Sequence, residues 1–215
     1  HPHCRLPDSQ RPEVEAFVDK FLLGEGEANT SVTRHPFADV KFDHWYDGWL
    51  TGKSSFPEPD ATNIESVFYE AECATHGSDW QLLDDSKASN GQYLTIKSGL
   101  NSANAAPTGS ESNVEIPFTV SKDSKFYLFA RVNCPSADDD SFWIKIDDGE
   151  YLASNGLRTV GWDWVGLTNA DLKAGEHSLT ITYREDGALI DKIGITTYAY
   201  GPSDLGKEAV NLCDR

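Results

Sequence analysis

The chain has 215 residues, enough for one domain of ordinary size with its own core and an appendage. Its 35 acidic against 18 basic residues give a formal net charge of -17. That balance excludes nucleic acid and argues against an anionic membrane surface, because both need a basic footprint. No apolar run approaches the roughly 18 residues of a membrane span, and no signal peptide is recognised.

The four cysteines, Cys4, Cys73, Cys134 and Cys213, lack metal-type spacing. One or two disulfides in a secreted, extracellular protein is the expectation. With no methionine and His1 first, the chain is expected to be a processed or truncated product. Asn29-Thr30-Ser31 fits a glycosylation sequon.

In chain order, the first element is a helix. Ser9 suits an N-cap, Pro12 the first turn, and Glu13 and Glu15 the positive end of the helix dipole. Val14, Phe17, Val18, Phe21 and Leu22 form one apolar stripe, and Gly24 ends it. The following segment is polar apart from Val40, Phe42, Trp45, Tyr46, Trp49 and Leu50, so nothing local covers that stripe.

Residues 54–66 hold a proline-containing linker without periodicity. Beyond it, strands are predicted at 66–72, 93–97, 113–120, 126–132, 141–146, 161–167, 177–183 and 189–197. Their alternation and spacing predict an all-β fold, an antiparallel β-sandwich or jelly roll over residues 67–215. The segment 183–187, with Asp186-Gly187 at its tip, reads as a hairpin turn.

In 141–146, alternation sends Phe142, Ile144 and Ile146 inward and Trp143 outward, beside a loop carrying Asp138, Asp139 and Asp140. Trp80, Trp143, Trp162, Trp164 and Tyr151 are candidate platforms for sugar rings, whose axial C–H faces stack on aromatic faces. Asp139, Asp140 and Arg131 are candidate partners for sugar hydroxyls. Loop capping by the aspartates, and ion pairs from Arg131 and Arg184 to them, fit the residues too. Trp162 and Trp164 share a face by spacing, and one of such a pair is commonly core.

Glu70 and Glu72 fall on one face of the first strand, and the first and last strands of a sandwich commonly lie side by side. Asp191 then completes either a hard-oxygen Ca2+ site or a charge cluster on an edge strand. His1-Pro2-His3-Cys4 fits a metal pair, a catalytic histidine or solvated terminal residues.

Two resemblances sharpen these readings. His3-Cys4, the following polar residues and the helix, with Trp45-Tyr-Asp-Gly-Trp49, resemble the C-terminal end of the α/β-hydrolase domain of glucuronoyl esterases. The resemblance implies that residues 1–53 are a remnant of such a domain, its short helix and strand. It also implies that His3 matches the general base and Cys4 a cysteine that pairs beside the nucleophile. The chain has no Gly-Cys-Ser-Arg-x-Gly elbow, so His3 is expected to be inactive here.

Tyr69-Glu-Ala-Glu72, Ser89-Asn-Gly-Gln-Tyr93, Tyr127-x-Phe-Ala-Arg131, 172–181 and Ile190-Asp-Lys-Ile193 resemble carbohydrate-binding modules of families 6 and 35 over 67–197. That resemblance implies a structural calcium held by Glu70, Glu72 and Asp191. If the terminal segments run together, Cys73 and Cys213 bridge, for roughly 2–5 kcal/mol of stabilisation; otherwise both stay thiols. Cys4 and Cys134 would then be left as a possible pair.

The expected function is non-catalytic binding of a plant or algal polysaccharide, which keeps an attached esterase near its substrate. One alternative is a fragment of an active esterase whose nucleophile lies on another piece, the missing part of that domain being its partner. Another is a subunit of an extracellular assembly or fibre, built by docking on a neighbouring copy.

Overall fold

The computed structural model describes residues 11–24 and 63–213. The chain divides into two compact units, residues 1–58 and 59–215. In the first, α1 (Arg11–Val18) runs into a π-helical turn (Asp19–Leu23). Gly24 stops it in the left-handed region at φ 72° and returns its N–H to the Asp19 carbonyl, the C-terminal stop its position predicts. Val14, Phe17, Leu22 and Leu23 are exposed. His3, Cys4, Ser9, Asn29 and 40–50, which carry the esterase resemblance and the sequon, lie outside the described residues.

The second unit is a β-sandwich. One sheet has the order β3 (Trp80–Asp84), β4 (Gln92–Ile96), β11 (Leu189–Thr196), β6 (Ser124–Asn133), β9 (Asp163–Leu172), with β1 (Ser66–Glu70) also on β11. The other has the order β2 (Thr75–His76), β5 (Asn113–Val120), β10 (Gly175–Tyr183), β7 (Phe142–Ile146), β8 (Leu152–Ser154). Every pairing among them is antiparallel. The all-β sandwich expected from the alternation is therefore present.

β5 shows why the alternation could be read. Val114, Ile116, Phe118 and Val120 are buried, while Glu115, Pro117 and Thr119 face solvent. β2 lies beside only Glu115 and Val114. Pro117 thus falls beyond it, where a missing N–H breaks no ladder bond and discourages further pairing. The inner faces of the two sheets meet in one core that includes Leu94, Phe126, Leu128, Phe142, Ile144, Leu179, Ile181 and Ile195.

β6 breaks the alternating pattern, because its outward residues Phe129 and Arg131 are buried too. The C-terminal segment is the cause. The Val210 N–H donates to the Phe68 carbonyl, and the Asn211 side-chain amide grips both backbone groups of Glu70, accepting from its N–H at 2.8 Å and donating to its C=O at 3.0 Å. The Cys73–Cys213 disulfide fastens the end, as expected. This segment occupies the edge of β1 that β11 leaves open.

Several expectations change. The first strand stops at Glu70, and Glu72 sits in a 3-10 turn (Ala71–Cys73). Residues 183–187 are not a hairpin turn, since β10 and β11 belong to different sheets and the segment crosses between them. β2, β3 and β8 were not predicted: β2 and β8 are too short to show a period, and β3 (Trp-Gln-Leu-Leu-Asp) does not alternate.

Candidate functional site

The site begins at a β-bulge. Against β6, Ile190 faces Val132 and Lys192 faces Arg131, which leaves Asp191 as the extra residue. The bulge resets the alternation, so that Ile190, Ile193 and Ile195 all join the core while Asp191 and Lys192 both leave it. Lys192 is the register partner of Glu70 on β1. The bulge therefore delivers a carboxylate and an ammonium group to the spot where β1 gives way to the Ala71–Cys73 turn.

Glu70, Glu72 and Asp191 converge there, with ligand atoms all within 4.8 Å of one another and all three residues buried. The three sequence-predicted metal ligands thus form one cluster. Two of them have protein partners. Glu70 Oε1 lies 3.1 Å from Lys192 Nζ, and Oε2 accepts from the Ser89 hydroxyl. Asp191 accepts from Arg131 Nη1 at 2.5 Å and from the Ser89 N–H at 2.9 Å.

Glu72 is different. Neither of its buried carboxylate oxygens has a hydrogen-bond partner among the described residues. Burial pushes its pKa up to about 7; its own backbone and the nearby Asn90 amide pull it down, and Glu70 and Asp191 push further up. Burial likewise raises Asp191, opposed by Arg131 and the Ser89 N–H. Three buried carboxylates against one guanidinium and one ammonium leave a negative balance, with two unpartnered hard oxygens on Glu72. That donor set fits a hard cation such as Ca2+. The sulfurs of Cys73 and Cys213 lie close to Glu72 but are bound in the disulfide, so they are not thiolate ligands.

Arg131 carries the cluster outward. Besides Asp191, its guanidinium donates to the Lys87 and Asp204 carbonyls, each at 3.2 Å, and it lies 5.8 Å from the centre of the Trp162 ring. Trp162 donates its indole N–H to Asp85 at 2.8 Å and meets Tyr93 edge-on at 5.3 Å. The hydrogen bonds from the Lys87 N–H and from Trp162, ahead of the other causes, hold the Asp85 carboxyl below its usual range. Trp162 is half-buried. Arg131, a candidate hydroxyl partner, is 7% exposed, and its Nε and Nη1 groups donate to protein acceptors.

Trp164, two residues on, has another setting. It donates its indole N–H to the Asp204 carbonyl at 3.2 Å and meets Phe68 edge-on at 5.8 Å. A Cβ on Gly206 would sit 2.8 Å from both rings. Trp164 is thus the seat of the C-terminal loop.

Trp80 is a core residue, not a platform: it is buried, stacks on Phe142 and donates its indole N–H to the Ser112 carbonyl at 2.7 Å. Trp143 and Tyr151 belong to the other sheet. Trp143 points away from the core as alternation predicts, donates to the Ser102 carbonyl at 2.9 Å and has the Arg184 guanidinium 5.7 Å from its ring centre. Tyr151 lies under Lys145 Nζ at 5.1 Å.

The aspartates of the 138–140 loop are shaped by Glu185, which sequence reasoning passed over. Its carboxylate accepts from the Asp140 N–H at 3.0 Å, the Ser141 hydroxyl at 2.6 Å and Arg184 at 3.2 Å. Arg131 and Arg184 therefore pair with Asp191 and Glu185, not with the loop aspartates. Asp140 is buried, and the Asp139 side chain lies against Gly187, where a Cβ would meet it at 2.4 Å. Cys134 is a buried thiol, its pKa pushed up to about 12 chiefly by burial; its suggested partner Cys4 lies outside the described residues.

Tyr93, Asp85 and Ser89 were also missed as site residues. The only signal was the Ser-Asn-Gly turn before Tyr93.

No protein-family model matches the chain, and no curated protein matches it. Solved structures do. A GH26-CBM35 β-(1,4)-mannanase of Podospora anserina aligns with a TM-score of 0.50 at 18% identity, over 64% of this chain and 29% of the mannanase. A family 35 carbohydrate-binding module of Clostridium thermocellum aligns at 0.46 and 20% identity, over 60% of this chain and 96% of the module. The C-terminal CBM6 of a marine laminarinase of Zobellia galactanivorans aligns at 0.47 and 19% identity, over 61% and 99%. The chain spans under a third of the mannanase it matches, and that likeness establishes a shared fold.

Proposed function

We propose that the sandwich is a non-catalytic module that binds polysaccharide on Trp162. One observation carries this reading: a half-buried indole whose edge is tied to Asp85 and whose neighbours Tyr93 and Arg131 hold it in place. A flat ring fixed in this way stacks on a sugar with little loss of side-chain freedom. Arg131 positions the ring, and Asp85 and the 85–91 turn supply polar groups at its edge. Trp143 and Tyr151 offer a second aromatic surface on the other sheet. Residues 1–53 are read as the end of a glucuronoyl esterase-like domain, and the module keeps that esterase near its substrate outside the cell.

Trp162→Ala should weaken binding to the preferred polysaccharide roughly tenfold or more, the scale of a lost stacking contact in a desolvated site. Affinity electrophoresis against soluble mannan, laminarin and β-1,3-galactan measures this, and an unchanged mobility shift in the variant removes Trp162 from the site.

We further infer that Ca2+ is the structural cofactor, held by Glu70, Glu72 and Asp191. Bound there, it supplies charge compensation and fixes the turn after β1. At a hundredfold excess over its Kd it should stabilise by about 2.7 kcal/mol. That corresponds to a rise in Tm of roughly 5–10 °C for a domain of this size. Thermal unfolding with Ca2+ and then with excess EDTA reads the shift, and coincident curves contradict the assignment.

A further inference from the structure

The C-terminal segment builds a groove of its own on the outer face of β1 and β11. Phe68, Tyr198, Tyr200, Ser203, Asp204 and Lys207 line it. Tyr200 is 68% exposed, and its ring centre lies 5.2 Å from that of Tyr198 at an interplanar angle of 51°. Two phenol rings tilted in this way make a shallow trough with apolar walls.

Its rim is polar and fixed. Tyr198 donates its N–H to Thr196 Oγ1 at 3.1 Å. Lys207 Nζ donates to Ser66 Oγ at 2.8 Å, which spends one of its three donors. Asp204 stands at φ 52°, in the left-handed region, and turns its carbonyl to accept from both Arg131 and Trp164. No hydrogen bond or ion pair engages its carboxylate among the described residues.

The loop beneath is seated on aromatic rings. A Cβ at Gly206 would meet Phe68 and Trp164, and one at Gly201 would come within 3.6 Å of Phe129. Tyr200 is therefore exposed on a supported loop.

We propose that this groove is a second carbohydrate site, which takes a hexose or two of an uncharged polysaccharide; this rests on the reading of the module as a polysaccharide binder. A tilted pair of aromatic faces meets the C–H side of a pyranose, while Lys207, Asp204 and the serines match hydroxyls as donors and acceptors. One ammonium and one carboxylate leave the lining neutral, and the -17 net charge around it disfavours an anionic chain. Asp204 joins the two sites, since the residue that lines this groove also clamps Arg131 beside Trp162. A polymer that engages both gains avidity without new contacts.

The test uses the full chain with soluble mannan, laminarin and β-1,3-galactan, titrated calorimetrically against wild type, Tyr198→Ala/Tyr200→Ala, Tyr200→Phe and Trp162→Ala. The double variant is expected to lose about tenfold in polymer affinity, with half the binding sites per chain. Tyr200→Phe, which keeps the ring, should stay within about twofold of wild type. If the double variant binds as wild type does while Trp162→Ala fails, the groove is overturned and the module reading stands. If wild type binds none of the three polymers, both readings fail together. Circular dichroism of each variant keeps a folding defect apart from a lost site.

Discussion

Asp191→Ala should destabilise the sandwich by about 3–5 kcal/mol, the cost of stranding a buried charge whose partner is removed. Asp191 is wholly buried, and its loss leaves the Arg131 guanidinium without its counter-ion. The Ser89 N–H loses its acceptor in the same step. The damage spreads along the chain of contacts, because Arg131 ties the 85–91 turn through Lys87, the C-terminal loop through Asp204 and the indole of Trp162. Asp191→Asn keeps an acceptor for Ser89 and should cost less. Urea unfolding of the three proteins gives the comparison. An unfolding free energy for Asp191→Ala within about 0.5 kcal/mol of wild type would mean that the Arg131 pair is not a structural joint.

The second large effect is expected at Cys73–Cys213. The bridge joins residues 140 apart, and a loop of that length restricts the unfolded chain by about 5 kcal/mol in the chain-entropy estimate. Removing a native bridge costs roughly 2–5 kcal/mol in practice. Here the bridge also fastens the segment that covers Phe68, Phe129 and Trp164. Cys73→Ser/Cys213→Ser should therefore lower the unfolding free energy by that range and make residues 198–213 the first site of proteolytic nicking. Limited proteolysis followed by mass spectrometry reads the second effect. Equal cleavage rates with and without the bridge would show that Val210 and Asn211 hold the segment unaided.

Much of this protein is legible in the order of its residues. Period-two alternation in 113–120 and 141–146 gives the strands and the inward rows, because a sheet with one face in the core and one in water must segregate its side chains that way. The Glu-Ala-Glu and Ile-Asp-Lys-Ile motifs, read as first and last strands of a sandwich, point to a meeting of Glu70, Glu72 and Asp191, while the Cys73–Cys213 bridge depended on the terminal segments running together. Gly24 ends the helix as its position requires.

What the sequence by itself determined is thus the sandwich and its inward rows, fixed by local periodicity; for the carboxylates and for Cys73 and Cys213 it offered alternatives, between which the fold chose. Only the tertiary structure decided which residues stand free for a ligand. The bulge at Asp191 is a mismatch in count between β11 and β6, invisible in either strand alone. Lys192 reaches Glu70 only through their register. Phe129 and Arg131 lie on the outward row of β6 and are buried all the same, because a distant segment folds across them. Trp162 and Trp164 look equivalent in sequence, yet one rests beside Tyr93 and Asp85 and the other carries the C-terminal loop. Exposure is a property of what lies on top of a residue, and what lies on top here comes from 40 to 73 residues further along the chain.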